Sequence, residues 1–338
     1  MALDNQENIS LKFKQLRIDR VNTWKPRLKI EDYDYLFPIE LEFVKRIENK
    51  LTSRGLRIFT PLTYPYNLDK DYHVYISYLI ECLDVMPLKI DLSFDFSWKG
   101  LEFYMGKAYE LHRGIKTANV SDLIKYSNSS YWNDIINSSM VIQNQINVFL
   151  ELLPSQSYEY LAKRMLKDYS LVSPRANQLF TRLAMTNGNI DVKIDSLLKD
   201  LFGKYGSISD GEKSRKVGRI MYKLFNNETI ELPDYNTPTN MNSYMLNRNE
   251  KIDLIVNGVL YTYRNERFHG NTFSPFKSSK ASLMTYTHAH YCFLWTYFLV
   301  NITKLYLNNV GIALAEIEEN IETNITSFKS LYGRHLTK

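Results

Sequence analysis

Apolar residues recur at steps of three and four along most of this chain, a spacing that is typical of amphipathic α-helices. The pattern predicts helices over residues 39–53, 72–85, 98–113, 130–152, 157–167, 174–185 and 191–202, followed by three long helices over residues 242–268, 279–309 and 311–331. Glycine or proline supports several of these bounds. Gly55, Gly114 and Gly203 each follow a predicted helix, and Pro174 suits a first helical position.

Strand-like alternation of apolar and polar residues is rare, and Leu88–Phe96 is the candidate for a short strand. Residues 1–38 are polar and lack a clear period, whereas residues 203–212 and 226–240 have the composition of loops. The predicted fold is therefore mostly α, a helical bundle with a small irregular N-terminal region. The Pro-containing stretch at residues 60–66 suggests a boundary between an N-terminal region of unassigned role, residues 1–70, and a helical domain, residues 71–338.

The composition is that of a globular protein, with 44% hydrophobic and 23% charged residues in a chain of 338. Glycine is scarce, at 13 residues, and no segment matches the glycine-rich loops that hold nucleotide phosphates. The net charge of +5 is compatible with a polyanionic partner such as RNA. It is equally compatible with a charge that only keeps the protein in solution.

The cysteine content and the apolar runs predict a cytoplasmic protein without a membrane segment. Cys82 and Cys292 lie far apart and do not suggest a disulfide framework or a cysteine-rich metal site. The first residues contain no apolar run of the kind found in signal peptides. The most apolar run, Tyr291–Val300, is too short to cross a bilayer and is expected to form a buried helix.

A group of polar residues follows an amphipathic helix near the end of the chain. Glu250–Tyr263 has one apolar face, and Gly270 is well placed to end the helix. Between them lie four side chains that form strong hydrogen bonds, namely Arg264, Asn265, Arg267 and His269. This segment is the main candidate for a functional site.

These side chains suit cleavage of RNA by its own 2′-hydroxyl, a reaction that needs proton transfer and charge stabilisation. Histidine has an ordinary pKa near 6.5, so His269 can accept or donate a proton near neutral pH. The guanidinium of Arg264 carries a fixed charge and a planar set of donors that match a phosphate. The amide of Asn265 can orient the imidazole or bind a phosphate oxygen. The alternative is that the arginines form a solvated face and that His269 only caps the helix end.

The spacing of Arg264 and His269 bears on the number of subunits in the site. Five residues correspond to about 140° of rotation on an unbroken helix, so the two side chains would point apart. Either the helix ends between them, or they act together with the same residues of a second copy. The sequence therefore favours a homodimer with a composite site.

The stretch VLYTYRNERFHGN, residues 259–271, resembles the defining motif of the HEPN superfamily, in which arginine, a polar residue and three further residues precede a histidine. Phe94–Glu102 resembles the aromatic and acidic opening of an early helix in larger HEPN proteins. The resemblance implies an enlarged all-α HEPN-like bundle, with the motif in residues 242–331, that dimerises so that two motifs line one cleft. It implies a metal-independent endoribonuclease without a cofactor, which leaves a 2′,3′-cyclic phosphate and a 5′-hydroxyl. Arg264 and His269 would be the catalytic pair, and Asn265 the supporting polar residue.

By analogy with this family, the expected role is that of a toxin or antiviral effector held in check by an antitoxin or a sensor partner. Arg267, Lys277 and Lys280 are candidates for contacts to RNA phosphates, with Phe273 and Phe276 stacking on bases. These phenylalanines could equally pack the loop onto the bundle.

His288 and His290 lie two residues apart on a predicted helix, so they point to different faces and are expected to pack in the core rather than bind metal. Two other functions remain open for the chain: a non-catalytic HEPN-like module that binds RNA or a nucleotide, and a module for protein interaction.

Overall fold

The computed structural model describes residues 2–27, 29–116, 118–169, 178–186, 189–268, 275–308 and 311–333. The fold is mostly helical, as predicted. The helices in chain order are α1 (Ala2–Asn22), α2 (Pro38–Lys50), α3 (Lys70–Asp84), α4 (Ile90–Arg113), α5 (Val120–Ser129), α6 (Tyr131–Ser138), α7 (Met140–Glu151), α8 (Ser155–Tyr169), α9 (Gln178–Ala184), α10 (Val192–Tyr205), α11 (Asp210–Phe225), α12 (Arg248–Asp253), α13 (Tyr261–Phe268), α14 (Leu283–Tyr306) and α15 (Leu314–Tyr332).

Among the described residues, four short strands form two antiparallel pairs: β1 (Met185–Thr186) pairs with β2 (Asn189–Ile190), and β3 (Ile230–Pro233) pairs with β4 (Met241–Tyr244). The chain divides into two compact units. Unit 1 comprises the described residues of Met1–Ala118, Ser130–Gln145 and Phe273–Arg334, and unit 2 comprises those of Asn119–Ser129 and Ile146–Thr272. Both sides of the boundary expected near residue 70 therefore lie in unit 1. None of the described helices is both long and apolar enough to span a membrane.

The core of unit 1 is built around α14, which packs against α4. All residues of Tyr291–Val300 are buried, so the prediction of a buried helix is confirmed. The Phe59 ring meets the rings of Phe293 and Tyr297 edge-on, with centroids 4.9 and 4.8 Å away. Such edge-to-face pairs contribute beyond the area they bury. A helix that is apolar on every side is stable here because other helices of unit 1 cover it.

The strand predicted at Leu88–Phe96 is wrong, because this segment lies in the turn before α4 and in its first two turns. Ile90, Phe94, Trp98 and Leu101 follow helical steps and are all completely buried. The alternation was misleading because two of its polar residues, Asp91 and Ser93, are buried as well. Ser93 Oγ, for example, donates a hydrogen bond to the carbonyl of Cys82 at 2.9 Å. The segment Phe94–Glu102, singled out by resemblance, thus lies within α4, and Phe94, Trp98 and Leu101 are its large buried side chains.

The expectation of an irregular N-terminal region is corrected by α1, which covers Ala2–Asn22. Proline and glycine are absent from this stretch, and good helix formers such as Leu, Lys, Gln and Arg are frequent in it. Of its apolar residues, Ile18 and Val21 are buried near the C-terminal end, whereas Phe13 and Leu16 are about half exposed. The helix therefore lacks the continuous apolar stripe that the sequence analysis required.

Several predicted helix bounds also change. The helix expected over residues 130–152 is two helices, α6 and α7, separated at the extended residue Ser139. Gly203 does not end α10, which continues to Tyr205. The long helix expected from Asn242 is preceded by β4, because Met241–Tyr244 pairs with Ile230–Pro233. The predicted helix start at Pro174 lies outside the described residues.

Unit 2 is organised by α8, which packs against α11 and α10. Tyr158 and Phe225 meet edge-on with their ring centroids 5.5 Å apart, and Leu161, Leu197 and Leu201 are completely buried. Leu161 also lies next to Gly258, in the helical segment that leads into the motif.

Candidate functional site

The motif lies at the end of a continuous helical run made of α12, a π-helical segment and α13 in unit 2. Asn247 caps the start of α12: its side chain accepts a hydrogen bond from the Glu250 amide, and the Glu250 carboxylate accepts one from the Asn247 amide. The π-helical segment, Leu254–Leu260, is fully buried. Such segments are rare in proteins and occur frequently at functional sites.

Gly258 allows this π-helical segment to approach α8 closely. A Cβ atom at residue 258 would lie 2.7 Å from Leu161 Cδ1, closer than real side chains pack. Leu161 is itself completely buried and has little room to move. The glycine therefore sets the distance between α8 and the helical run that leads into the motif.

Arg264 is held by its neighbours on α13 and is only partly exposed. Its Nη1 atom donates a hydrogen bond to Asn265 Oδ1 at 3.0 Å, and its guanidinium carbon lies 4.5 Å from the centroid of the Phe268 ring. These two contacts restrain the orientation of the guanidinium. Asn265 thus contacts the arginine directly, whereas the sequence analysis left open whether it would support the histidine.

α13 is helical up to Phe268. His269 and Gly270 lie outside the described residues, so the position of the histidine relative to Arg264 stays a prediction. The same holds for Phe273, which the sequence analysis named as a base-stacking candidate.

Glu266, the acidic residue within the motif, attaches α13 to α8. Its carboxylate forms an ion pair with the Arg164 guanidinium and accepts a hydrogen bond from the Tyr160 hydroxyl at 2.8 Å. The Glu266 side chain is 17% exposed, so its charge is largely withdrawn from water and depends on these two partners. The two contacts fix the rotation of α13 about its axis, and with it the direction of Arg264.

Sequence reasoning missed this attachment, since Arg164 and Tyr160 lie about a hundred residues before Glu266. A weak signal was present: Glu266 is the one acidic residue among the basic residues of YRNERFH, and Tyr160 and Arg164 are four residues apart on one helix face.

A second attachment comes from Arg182 of α9. Its Nη2 atom donates to Thr262 Oγ1 at 2.8 Å, and its guanidinium lies 4.9 Å from the Tyr261 ring centroid. The Thr262 hydroxyl in turn donates to the main-chain carbonyl of Asn257, at 3.3 Å. Arg182 and Thr262 are both buried, so these bonds join the π-helical segment, the start of α13 and α9 inside the protein.

The side chain of Asn257 is hydrogen-bonded in turn to Asp253, at the end of α12. The Asp253 Oδ1 atom accepts a hydrogen bond of 2.6 Å from Asn257 Nδ2. Burial raises the pKa of Asp253 to about 7, and the carboxylate of Asp191 acts in the same direction. The Asn257 bond and the charge of Lys125 oppose this rise. Asp253 is therefore a carboxyl group that changes charge near neutral pH, next to the segment that carries the motif.

We expect Asp253→Asn to change the pH dependence of stability. The asparagine keeps the acceptor for Asn257 but carries no charge. Because the folded-state pKa of about 7 exceeds the ordinary value of about 4, the wild type gains stability as the pH falls from 7 to 4 and the variant does not. The variant should therefore be the more stable protein above pH 7 and lose that advantage towards pH 4. Unfolding by urea at a series of pH values measures this, and parallel profiles would contradict it.

The tentative RNA-binding residues have different surroundings. Arg267, in unit 2, is partly exposed with its guanidinium 5.5 Å from the Tyr263 ring centroid. In unit 1, Lys277 forms an ion pair with the nearly buried Glu40 and lies 4.2 Å from the Phe37 ring centroid. Because of this ion pair, the charge of Lys277 is already balanced by a carboxylate. The side chain of Lys280 is exposed to solvent.

Phe276, the other aromatic residue of this loop, is buried and stacks on Tyr286 with ring centroids 4.2 Å apart. This is the packing role that the sequence analysis gave as the alternative to base stacking.

The two histidines of α14 lie in the core of unit 1, as expected. Burial lowers the pKa of His288 to about 4 and that of His290 to about 3, so both rings are neutral near pH 7. Cys82 and Cys292 are free thiols and are buried. Among the described residues, no three or more histidine, cysteine or acidic side chains are grouped as a metal site would require.

The described site thus consists of Arg264, Asn265 and Phe268 on one helix, attached through Glu266 to Arg164 and Tyr160. No protein-family model, curated protein or solved structure was found to match this chain.

Proposed function

We propose that this protein is a metal-independent RNA endonuclease whose active site contains Arg264, Asn265 and His269. The observation that carries the proposal is that two sets of contacts hold the motif helix and its arginine in place. Arg264 is oriented by Asn265 and Phe268, while Glu266, three residues before His269, is tied to Arg164 and Tyr160. A site that stabilises a transition state through charge benefits from donors that are already in place.

In the proposed reaction, the imidazole of His269 removes the proton from a ribose 2′-hydroxyl. The 2′-oxygen attacks the adjacent phosphorus, the bond from phosphorus to the 5′-oxygen breaks, and that oxygen takes up a proton. The products are a 2′,3′-cyclic phosphate and a 5′-hydroxyl. The Arg264 guanidinium binds the non-bridging oxygens, whose negative charge increases in the transition state.

The site is completed by the same motif of a second copy in a homodimer. The helical spacing of Arg264 and His269 supports this part of the proposal, and α13 is helical up to Phe268. Arg267 and Lys280 contribute charge that attracts the RNA backbone. In this proposal the protein acts in the cytoplasm as a toxin or antiviral effector, controlled by an antitoxin or sensor partner. This role rests on the family resemblance alone.

The proposal is tested by incubating the purified protein with a mixed RNA in EDTA. We expect the wild type to cleave the RNA, His269→Ala to lose cleavage, and His112→Ala to retain it. His112 is a matched control because it is an exposed histidine in unit 1, outside the motif. Intact RNA with the wild type, or equal cleavage by His269→Ala, would rule out the proposed activity.

A measurement of RNA binding at several salt concentrations, beside the cleavage assay, decides between cleavage and binding alone. A guanidinium stacked on an aromatic ring, as in Arg264 and Phe268, is also a good ligand for a phosphate that does not react. Salt-sensitive RNA binding that requires Arg264, without any cleavage, would assign the chain as a non-catalytic RNA-binding module.

A further inference from the structure

In unit 2, the strand β4 has one edge paired with β3 and one open edge. The Asp234 amide donates to the Asn240 carbonyl at 2.9 Å, which continues the register of the β3–β4 pair. Because hydrogen-bonded and non-bonded pairs alternate along antiparallel strands, the main-chain N–H and C=O groups of Met241 and Ser243 point away from β3. Within the described part of the chain, no hydrogen bond from outside this pair of strands reaches them.

The open edge of β4 lacks the features that usually prevent strands from pairing with other chains, which are charged side chains, proline and a covering element. β3 has all three, because it contains Glu231 and Pro233 and packs against α10 and α11. β4 contains neither a charged residue nor proline, and the chain carries no charge between Asp234 and Arg248. The outer edge of β4 is therefore available to a further strand.

The exposed side chains along this edge form a pattern that reads the same in both directions. Met241 and Met245 are 54% and 55% exposed, and Ser243 between them is exposed as well. The buried residues Tyr244 and Leu246 alternate with them, so the three exposed side chains lie on one face.

This pattern is complementary to itself. If two copies of β4 pair antiparallel with Ser243 opposite Ser243, Met241 of each copy lies opposite Met245 of the other. Both pairs of methionines then lose exposed apolar surface. No like charges meet, because the strand is uncharged.

We propose that β4 pairs with β4 of a second copy of this chain, antiparallel and with the two-fold axis at Ser243. The result is a four-stranded sheet in the order β3, β4, β4, β3. A second copy fits better than an unrelated extended segment because the register matches each methionine with a methionine. The paired strands are short, so the dimer is expected to be reversible.

This interface goes beyond the proposed function, which requires a second copy but does not specify a surface that holds it. β4 contains no residue of the motif, so the pairing of the strands does not depend on RNA cleavage.

The most specific test is oxidation of the full chain with Ser243→Cys. At the proposed two-fold axis the two Cα atoms would lie about 5.5 Å apart, a distance that a disulfide can bridge. Cys82 and Cys292 are buried and do not compete. We expect a covalent dimer on a non-reducing gel. Glu231→Cys is the matched control: residue 231 is directly across from Ser243 within one copy, but its two copies would lie about 14 Å apart, three strand spacings.

Sedimentation of the full chain over a range of concentrations tests the same interface without a cross-link. We expect the wild type to form dimers that dissociate on dilution. Ser243→Lys should raise the dissociation constant by roughly 5-fold, because two like charges then lie directly opposite each other. The control Thr229→Lys adds the same charge at an exposed position beside β3 and should sediment as the wild type does.

Three outcomes would overturn the proposal: a wild type that is monomeric at every concentration, no covalent dimer from Ser243→Cys, or equal yields of covalent dimer from the two cysteine variants. None of these measurements involves RNA. A failure of the proposed nuclease activity is therefore distinguishable from a failure of the proposed interface.

Discussion

Arg264→Lys is expected to lower the rate constant of RNA cleavage by about 100- to 1000-fold, the usual cost of removing a fixed donor that stabilises transition-state charge. The lysine keeps the positive charge but loses the planar guanidinium that stacks on Phe268 and donates to Asn265 Oδ1. A flexible ammonium would not hold two non-bridging oxygens at once. The loss should therefore appear in kcat, with a smaller change in KM.

Single-turnover cleavage with enzyme in excess measures this effect without a contribution from product release. Arg219→Lys is the matched control, because Arg219 is an exposed arginine of α11 in the same unit, outside the motif and the contacts described above. We expect the control to cleave at the wild-type rate. Equal rates for Arg264→Lys and the wild type would show that the guanidinium does not act on the reacting phosphate.

Lys304→Met is expected to stabilise unit 1. The Lys304 side chain is 1% exposed, and its amine finds no hydrogen-bond acceptor among the described residues. It lies among four tyrosine rings, with Nζ 4.5, 4.8, 4.4 and 5.8 Å from the ring centroids of Tyr64, Tyr72, Tyr75 and Tyr104. Burying a polar group without such a partner costs about 1–3 kcal/mol. Methionine fills a similar volume without that cost.

The pH dependence of stability distinguishes the cost of burying the Lys304 amine from an effect of packing alone. Burial lowers the pKa of Lys304 well below its ordinary value. The unfolded chain therefore binds a proton more readily, and the wild type gains stability as the pH rises towards that ordinary value, about 10.4. The methionine variant lacks this gain, so its advantage should be largest near neutral pH and shrink at alkaline pH.

Thermal unfolding of both proteins between pH 7 and 10 measures the difference, with Lys50→Met as a control at an exposed position of α2. A lower melting temperature for Lys304→Met than for the wild type would mean that attraction between the ammonium and the tyrosine rings exceeds the desolvation cost.

The spacing of apolar residues predicted the helices correctly where one face, or every face, of a helix is apolar. It predicted α14 as a buried helix and found α3, α8 and α15 within a few residues of their bounds. It failed for α1, whose apolar residues do not form a stripe. At Leu88–Phe96 an alternating pattern was taken for a strand because buried polar residues such as Ser93 were assumed to face water.

The candidate site was located by a local motif, but its supports were not predictable. Glu266 meets Arg164, and Thr262 meets Arg182, across long sequence separations that only the tertiary fold brings together. The π-helical segment before α13 also has no signature in the spacing of apolar residues, because a π turn and an α turn bury similar side chains.

The central claim is that the 2′-hydroxyl of the RNA is the nucleophile. It is tested most directly with an RNA of defined sequence in which the ribose at a mapped cleavage position carries hydrogen in place of that hydroxyl, incubated in EDTA. We predict that cleavage stops at the modified position and continues at unmodified positions, with 2′,3′-cyclic phosphate ends and unchanged RNA affinity. Cleavage at the modified position would contradict the proposed mechanism.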